Sequence, residues 1–298
     1  SPNSTNWIVR VTKYKYFKKD LIIFAFLHLS AHKDLTEALI EKGSTAIAFE
    51  TVQKDNRDLP CLKPMSMIAG KMSAIIGSEY LQKTKGGSGM LISGLPGVNR
   101  ANAVVVGAGN VGVNALEMLV GLGANVTILD VDIDRLAKLE QIYGNKIETL
   151  YSNNSNLRRA ITKANLVIGA VSLPGASTPQ LIKKAYYKDM KKGSVIVDVA
   201  IDQGGSTEVS RPTSHEEPIF YVDGVLHYCV PNIPGAVPLT ATEALNNAII
   251  PYTKMIANKG LELAIEDNIE LKRGVNILNG KVVYEAVAKS LDLEYIEI

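Results

Sequence analysis

A short apolar run followed at once by three spaced glycines constrains the fold of this chain more than any other feature. The run is Ala103–Val106, the glycines are Gly107, Gly109 and Gly112, and a helical pattern over Val113–Leu122 follows. In a strand-turn-helix unit the first glycine permits the tight turn, the second lets the backbone approach a pyrophosphate, and the third lets helix and strand pack closely. The segment predicts the dinucleotide-binding turn of a Rossmann-type parallel sheet.

An acidic residue ends the next apolar run. Asn125–Leu129 has the composition of a buried strand, and Asp130 follows it, about twenty residues past the first glycine. A carboxylate at this place accepts hydrogen bonds from the adenosine ribose hydroxyls and repels a 2′-phosphate, so NAD is favoured over NADP. The alternative is a tight turn with no ligand, which is disfavoured because strand, glycines, helix and acid agree.

Further apolar runs alternate with helical patterns along the chain, which predicts an α/β protein built on a doubly wound parallel sheet. With 298 residues the chain exceeds a typical single domain. We expect an NAD-binding domain over residues 61–238 and a discontinuous α/β substrate domain, incomplete at its N-terminus, from residues 1–60 and 239–298. The predicted strands are Leu21–Leu27, Thr45–Phe49, Leu166–Gly169 and Ser194–Val199, and the predicted helices are Asp34–Lys42, Lys63–Lys83, Leu136–Tyr143, Leu157–Lys163, Thr240–Leu263 and Glu285–Leu291.

Composition removes several classes of function. The net charge is +2 with both signs interspersed, so nucleic acid is not an expected partner. Since no apolar run reaches about twenty residues, no membrane span is predicted. The basic segment Lys13–Lys19 before Leu21–Leu27 resembles a signal peptide but lacks a small-residue cleavage pattern, and we interpret it as a solvated face. Cys61 and Cys229 lie far apart without metal-ligand spacing, which predicts free thiols, a cytoplasmic protein and no metal site.

Candidate catalytic groups follow predicted strands. His28 ends the first apolar run, and from the residues alone a core histidine and a catalytic one stay equally open. Asp198 and Asp202 lie at the end of another strand, with Asn232 further on. We interpret Asp198 as orienting backbone amides and Asp202 as functional. The other histidines are expected on the surface, His32 at a helix start, His215 in a loop and His227 on a strand.

Several segments resemble the alanine dehydrogenase family, which includes the nucleotide-binding first domain of nicotinamide nucleotide transhydrogenase. The aspartate-glutamine-glycine-glycine and asparagine-proline segments are more specific to that family than the glycine pattern. The match runs in order from about Phe17. The matching segments are Phe26–Leu29, Ala48–Val52, Pro64–Gly70, Gly107–Gly112, Ile168–Gly175, Val197–Gly205, Ser210–Thr213 and Val230–Pro238.

The resemblance implies reversible NAD-dependent oxidative deamination of L-alanine to pyruvate and ammonia by a homohexamer. It implies that His28 hydrogen-bonds the reacting centre and takes part in proton transfer, and that Asp202 helps to activate water or ammonia. Asn232 is a further substrate-binding candidate. The implied cofactor contacts, added to the three glycines and Asp130, are Ser66, Arg135, Ser152, Val171, Val199, Asp202, Val230 and Ile233.

The chain also departs from the family pattern. Family members carry some sixty further residues ahead of this start, with an arginine that binds the substrate carboxylate. The best match to a second substrate-binding group, a lysine, is Arg10, and arginine does not replace a lysine point contact neutrally. The alternatives are a catalytically impaired NAD-binding fragment of a split alanine dehydrogenase, which a separate N-terminal fragment would complement, and a transhydrogenase-like nucleotide-binding domain.

Overall fold

The computed structural model describes residues 11–171 and 178–298, with side chains from residue 13 onward. The chain divides into two compact units, a central unit, Ser66–Ala236, and a terminal unit made of the chain up to Met65 together with Val237–Ile298. The divisions lie within five residues of the expected ones at 60/61 and 238/239. Each unit has its own sheet.

The elements of the described segments are numbered here in chain order. The strands are β1 (Ile22–Ala25), β2 (Thr45–Ala48), β3 (Asn102–Val106), β4 (Asn125–Asp130), β5 (Ile147–Tyr151), β6 (Leu166–Gly169), β7 (Val195–Asp198), β8 (Ile219–Val222), β9 (Val225–Tyr228), β10 (Val275–Leu278) and β11 (Lys281–Val282). The helices are α1 (Lys33–Glu41), α2 (Lys63–Tyr80), α3 (Asn110–Gly121), α4 (Ile133–Tyr143), α5 (Asn154–Lys163), α6 (Pro238–Lys259), α7 (Leu261–Asp267), α8 (Ile269–Gly274) and α9 (Glu285–Leu291).

The central unit is built on a sheet with the strand order β5-β4-β3-β6-β7-β9-β8. The strands pair in parallel except β8, which runs antiparallel to β9. The order reverses between β3 and β6, and ligands of open α/β sheets bind outside the carboxyl ends of the strands at such a point. The predicted doubly wound Rossmann sheet is confirmed.

Alternation along the strands explains why helices cover both faces of this sheet. Val105 and Ile168 pack in the hydrophobic cluster that contains Leu116 of α3. Their neighbours Val104 and Val167 point the other way, into the cluster that contains Leu157 and Ile161 of α5. Because successive strand residues point to opposite faces, continuous apolar runs such as these fit only a sheet buried on both sides.

The terminal unit has a smaller mixed sheet in the order β1-β2-β10-β11. β1 and β2 are parallel, and β10 pairs antiparallel with both β2 and β11. Residues from both ends of the chain therefore complete one sheet, as expected for a discontinuous α/β domain. The parallel pairing brings the carboxyl ends of β1 and β2 side by side.

Some element predictions need correction. The helix predicted over Thr240–Leu263 ends at Lys259, because Gly260 adopts φ +77° and α7 starts anew after it. The predicted Lys63–Lys83 helix ends at Tyr80. Strands β5 and β8 to β11 have no counterpart in the sequence predictions. Within the described ranges, no helix combines the length and apolar character needed to cross a bilayer.

The expectation that His227 lies on a strand surface is wrong. His227 lies in β9 and is completely buried, stacked between the rings of Tyr187 at 5.3 Å and Phe220 at 4.8 Å. Neither ring nitrogen has a hydrogen-bond partner in the described residues. Burial lowers the pKa of His227 from 6.5 to about 4, so the folded protein holds it neutral.

This histidine predicts an acid-dependent loss of stability. Below pH 6.5 the unfolded state binds a proton on His227, whereas the folded state binds it only near pH 4. The contribution of neutral His227 to the free energy of unfolding is therefore fully present above pH 6.5 and is lost as the pH falls towards 4. Replacing His227 by phenylalanine should remove about 2 kcal/mol of the stability difference between pH 7 and pH 4.5, measured by urea unfolding. The exposed His215→Gln variant should keep the wild-type difference. An unchanged difference in His227→Phe would contradict this account.

Candidate active site

The glycine turn after β3 has the geometry that a pyrophosphate site requires. Gly107 adopts φ +101°, and a Cβ there would lie 2.9 Å from the carbonyl oxygen of Ala170. A Cβ on Gly112 would lie 1.8 Å from the carbonyl oxygen of Gly107, so helix α3 could not approach the turn with any side chain at this position. By contrast, a Cβ on Gly109 would meet nothing within 4 Å. The turn thus leaves open space in front of the amino-terminal end of α3, where free N–H groups and the helix dipole favour an anion.

Asp130 is held in place by the same turn. Its Oδ2 accepts a hydrogen bond from the amide of Ala108 at 2.5 Å, and its Oδ1 accepts one from the amide of Asp132 at 2.9 Å. The guanidinium of Arg135 lies 3.8 Å from Oδ2 and 3.6 Å from the carboxylate of Asp132. A carboxylate has about four acceptor sites, and the two amides occupy two of them.

Asp130 yields a prediction about cofactor choice. In Asp130→Asn the amide NH₂ must face either the N–H of Ala108 or that of Asp132, neither of which accepts a hydrogen bond. We expect NADH binding to weaken by about tenfold or more, and the preference over NADPH to shrink with the lost charge. Fluorescence titration with both nucleotides measures this. Asp134→Asn, an exposed acid in the first turn of α4, serves as the control and should bind like the wild type. An unchanged NADH to NADPH ratio in Asp130→Asn would refute the assigned role.

Six cofactor candidates of the central unit lie along one edge of the sheet. Each stands at or just after the carboxyl end of a different strand, and the strands are neighbours, so parallel pairing assembles positions that are scattered in sequence. Three further candidates lie in other elements. Arg135 lies in α4, Ile233 is a buried residue of the 3-10 turn Ile233–Ala236 that follows β9, and Ser66 is a half-buried residue in the first turn of α2. From one side of the sheet to the other the edge positions are Ser152 after β5, Asp130 in β4, Gly107 after β3, Val171 after β6, Val199 after β7 and Val230 after β9.

Asp202 lies in a short 3-10 helix, Val199–Gln203, which directly follows β7. The residue is exposed, whereas Asp198 at the end of the strand is completely buried. Asn232 follows β9, with φ +54° and a half-buried side chain. These two candidates therefore stand beyond neighbouring strands at the edge that carries the glycine turn.

His28 stands three residues beyond β1 in the terminal unit, in a left-handed conformation with φ +48° and ψ +43°. Its side chain is half exposed, and its ring stacks on Phe26 with centroids 6.2 Å apart. The structure thus places His28 at a strand end and outside the hydrophobic core, with its imidazole accessible to solvent.

Glu50 is a neighbour of the candidate residue His28 that sequence reasoning did not single out. Its carboxylate accepts the amide of His28 at 2.6 Å and that of Leu27 at 3.3 Å, and one oxygen lies 4.0 Å from Nδ1 of His28. Glu50 follows β2, the parallel neighbour of β1, so the pairing brings it beside the histidine. Its place directly after the predicted strand Thr45–Phe49 was the available signal. A carboxylate near Nδ1 favours the tautomer that leaves Nε2 free to act on a substrate.

Arg10, the remaining substrate-binding candidate, lies outside the described residues. Within residues 11–171 and 178–298, no group of three or more histidine, cysteine, aspartate or glutamate side chains is placed to hold a metal ion. Both cysteines are buried and free, and burial raises the pKa of each to about 12.

Comparison with known proteins identifies relatives along nearly the whole chain. The alanine dehydrogenase/PNT C-terminal domain matches residues 73–285, and the N-terminal domain of the same family matches residues 6–69. The chain is 52% identical over 285 residues to the alanine dehydrogenase of Methanococcus maripaludis, an alignment that covers 95% of this chain and 76% of the relative. It is also 52% identical to the alanine dehydrogenase of Bacillus subtilis, with 95% and 75% covered.

Comparison with solved structures identifies the same family of proteins. An L-alanine dehydrogenase superposes with a TM-score of 0.92 at 44% identity, covering 98% of this chain and 83% of that one. A transhydrogenase from Sinorhizobium meliloti superposes with a TM-score of 0.79 at 20% identity, over 92% of this chain and 78% of that one, which shows a shared fold alone. The glycine turn, the strand-end acids and these matches together establish that the chain belongs to the alanine dehydrogenase/PNT family.

Proposed function

We propose that this protein catalyses the reversible NAD-dependent oxidative deamination of L-alanine. The balanced reaction converts L-alanine, NAD⁺ and water into pyruvate, ammonium, NADH and a proton. The observation that carries the proposal is the position of two features at the same edge of the central sheet. The glycine turn follows β3 and Asp202 follows β7, and only strand β6 lies between β3 and β7. Relatives at 52% identity are named alanine dehydrogenases, which supports alanine as the substrate.

The proposed cofactor is NAD rather than NADP, and the central unit is its domain. The amino-terminal end of α3 would hold the pyrophosphate, and Asp130 would bind the adenosine ribose. The rest of the cofactor would contact Ser66, Arg135, Ser152, Val171, Val199, Val230 and Ile233. The cofactor supplies the hydride acceptor when bound. In this proposal the terminal unit is the substrate domain.

His28 and Asp202 are the proposed catalytic residues. As the C–H bond at the α-carbon breaks and hydride leaves, the amine must lose a proton, and the imidazole of His28 has a ring nitrogen that can accept it. Water then adds to the iminium carbon. Asp202 would accept a proton from that water, and the resulting carbinolamine would collapse to pyruvate and ammonia. Asn232 is the proposed hydrogen-bond donor to the substrate.

A homohexamer in the cytoplasm is part of the same proposal. The resemblance to the alanine dehydrogenase family suggests the assembly, and the free thiols of Cys61 and Cys229 are compatible with a reducing compartment. Light scattering of the purified protein measures the assembly directly. A monomer at micromolar concentration would contradict it.

Turnover by the purified protein tests the proposal. NADH formation at 340 nm is followed with L-alanine and NAD, and with NADP or D-alanine in place of either substrate as controls. The expected result is reduction that requires both L-alanine and NAD, and oxidation of NADH by pyruvate with ammonium in reverse. If the protein binds NADH but shows neither activity, the proposed function is wrong. Activity restored by an added N-terminal fragment would instead support the split-enzyme alternative.

A further inference from the structure

Asp198 is a charged group buried at the end of β7, with no exposed surface. Its carboxylate accepts four hydrogen bonds. Oδ1 accepts from the amide of Ala200 at 3.2 Å and from the hydroxyl of Ser206 at 2.9 Å. Oδ2 accepts from the amide of Ser206 at 2.8 Å and from the hydroxyl of Ser210 at 2.5 Å. A carboxylate offers about four acceptor sites, so this group is saturated by its own loop.

No ion pair with a lysine, arginine or histidine compensates this charge within the described residues. Burial raises the pKa of Asp198, and the hydrogen bonds from Ser210, Ser206 and Ala200 act against that rise. Burying a carboxylate costs free energy unless donors replace the lost water. The four donors do so here, which ties the carboxylate to one arrangement of the loop.

Two glycines show how closely the loop fits around this carboxylate. A Cβ on Gly169 would lie 2.1 Å from the Ser206 hydroxyl and 3.1 Å from Oδ1 of Asp198. A Cβ on Gly205, which has φ +83°, would lie 2.4 Å from Cβ of Ser210 and 2.9 Å from Oδ2 of Asp198. The packing around the carboxylate thus leaves no room for a side chain at position 169 or 205.

The four donors come from both sides of the segment that carries Asp202. Ala200 precedes Asp202 by two residues, and Ser206 follows it by four. Between the two anchors lie Gly204 and Gly205, both with positive φ, and Asp202 itself is exposed. The segment buries Ala200 and Ile201, and the amide of Thr178 donates to the carbonyl oxygen of Gln203 at 2.9 Å, while the hydrogen bonds to Asp198 fix the segment at both of its ends.

A second layer of hydrogen bonds holds one of the donors. The hydroxyl of Thr207, a completely buried residue, lies 2.8 Å from that of Ser210 and accepts the amide of Val209 at 3.2 Å. The loop from Val199 to Ser210 is therefore organised around Asp198 on its inner side.

We propose that Asp198 is a positioning residue, which acts on catalysis through the loop that it anchors by setting the position of Asp202. The inference rests on the proposed function, because it takes Asp202 as catalytic. Because Asp198 is completely buried, this role requires no contact between its carboxylate and the substrate. Since a misplacement of about 1 Å can reduce a rate by about a hundredfold, loss of the anchor should lower kcat strongly.

Asparagine at position 198 tests the anchor with almost no change of volume. Each carboxylate oxygen of Asp198 faces one backbone N–H, that of Ala200 or that of Ser206. Hydroxyl groups can reverse their direction, but a backbone N–H cannot accept. Whichever way the amide is turned, its NH₂ faces a donor, so Asp198→Asn must break part of the cage.

A double-mutant cycle with Asp202→Asn separates positioning from general destabilisation. Asp198→Asn should lower kcat about a hundredfold in the wild type and less than about threefold in the Asp202→Asn background. Asp189→Asn, an exposed acid of the central unit paired with Arg158, is the control and should leave kcat unchanged in both backgrounds. An equal loss of kcat in both backgrounds, or no loss in the wild type, would overturn the proposal.

If Asp198→Asn fails to fold, Ser210→Ala replaces it in the cycle. This variant removes one hydroxyl donor and keeps both amides, so the expected loss is about fivefold in the wild type and is absent in Asp202→Asn. No loss, or the same loss in both backgrounds, would count against the anchor.

Hydrogen exchange followed by mass spectrometry tests the anchor without turnover. Exchange over residues 199–206 should be faster in Asp198→Asn, or in Ser210→Ala, than in the wild type, with strand β3 unchanged. Unchanged exchange over 199–206 would overturn the anchoring even if alanine turnover is found. Faster exchange in a protein without alanine turnover would support the anchoring while the proposed function fails.

Discussion

Replacing His28 by asparagine is expected to lower kcat for alanine-dependent NAD reduction by about a thousandfold, with NADH affinity unchanged. Asparagine is the appropriate replacement because His28 has φ +48°, and asparagine tolerates this left-handed conformation while alanine would be strained. The variant therefore removes the imidazole and keeps the backbone. Steady-state kinetics and a nucleotide titration measure the two quantities.

His32→Asn is the matched control for this prediction. His32 lies four residues further on, precedes α1 and is half-buried, and asparagine is a favourable residue before a helix. Its kcat should stay within about twofold of the wild type. If the two variants lose activity equally, or if His28→Asn keeps more than a tenth of the rate, His28 is not the proton-transfer group.

Glu50→Gln gives a graded comparison. The carboxylate of Glu50 binds the amides of Leu27 and His28, and glutamine keeps one acceptor oxygen for them. We expect a loss of kcat of about tenfold, smaller than that of His28→Asn, because the imidazole is present but less well oriented. A loss as large as that of the histidine variant would mean that Glu50 has a chemical role of its own.

The second large effect is expected at Asp202. Asp202→Asn removes the proposed base for water and should lower kcat by about a thousandfold, while NADH still binds. Glu208→Gln is the control, since Glu208 is an exposed acid of the following segment that pairs with Lys183. It should keep kcat within about twofold.

Chemical rescue distinguishes a missing base from a damaged loop. In Asp202→Ala, added formate should restore part of the lost activity, because a small carboxylate can occupy the space of the removed one. The Asp198→Asn variant should gain nothing from formate. If formate fails with Asp202→Ala, or rescues both variants equally, the assignment of Asp202 as the base is wrong.

Prediction from sequence worked best where the decisive signal was local. The turn from β3 into α3 could be recognised because Gly107, Gly109 and Gly112 act within six residues of one another. The sequence pattern indicates a helix only from Val113, whereas α3 starts at Asn110, since a helix without an acidic or hydroxyl cap begins without a strong signal. The break between α6 and α7 was missed because Gly260 was not recognised as a helix end.

Prediction failed where the environment comes from distant segments. The sequence predicts His227 on a surface, yet the side chain is completely buried between the rings of Tyr187 and Phe220. Strand β10 was missed because its partner β2 is more than two hundred residues away in sequence. Glu50 lies beside His28 only because β1 and β2 pair in parallel.

Local patterns thus sufficed for the class of fold, the phosphate-binding turn and the acid at the end of β4, since backbone conformation and strand periodicity depend on a few neighbouring residues. Local patterns did not suffice to distinguish the environments of Asp198 and Asp202. Asp198 ends strand β7 and Asp202 lies four residues further on, and the sequence supported only the expectation that one orients amides and the other is functional. Folding buries the first among four donors and leaves the second exposed, because burial and hydrogen bonding are set by which segments meet in space.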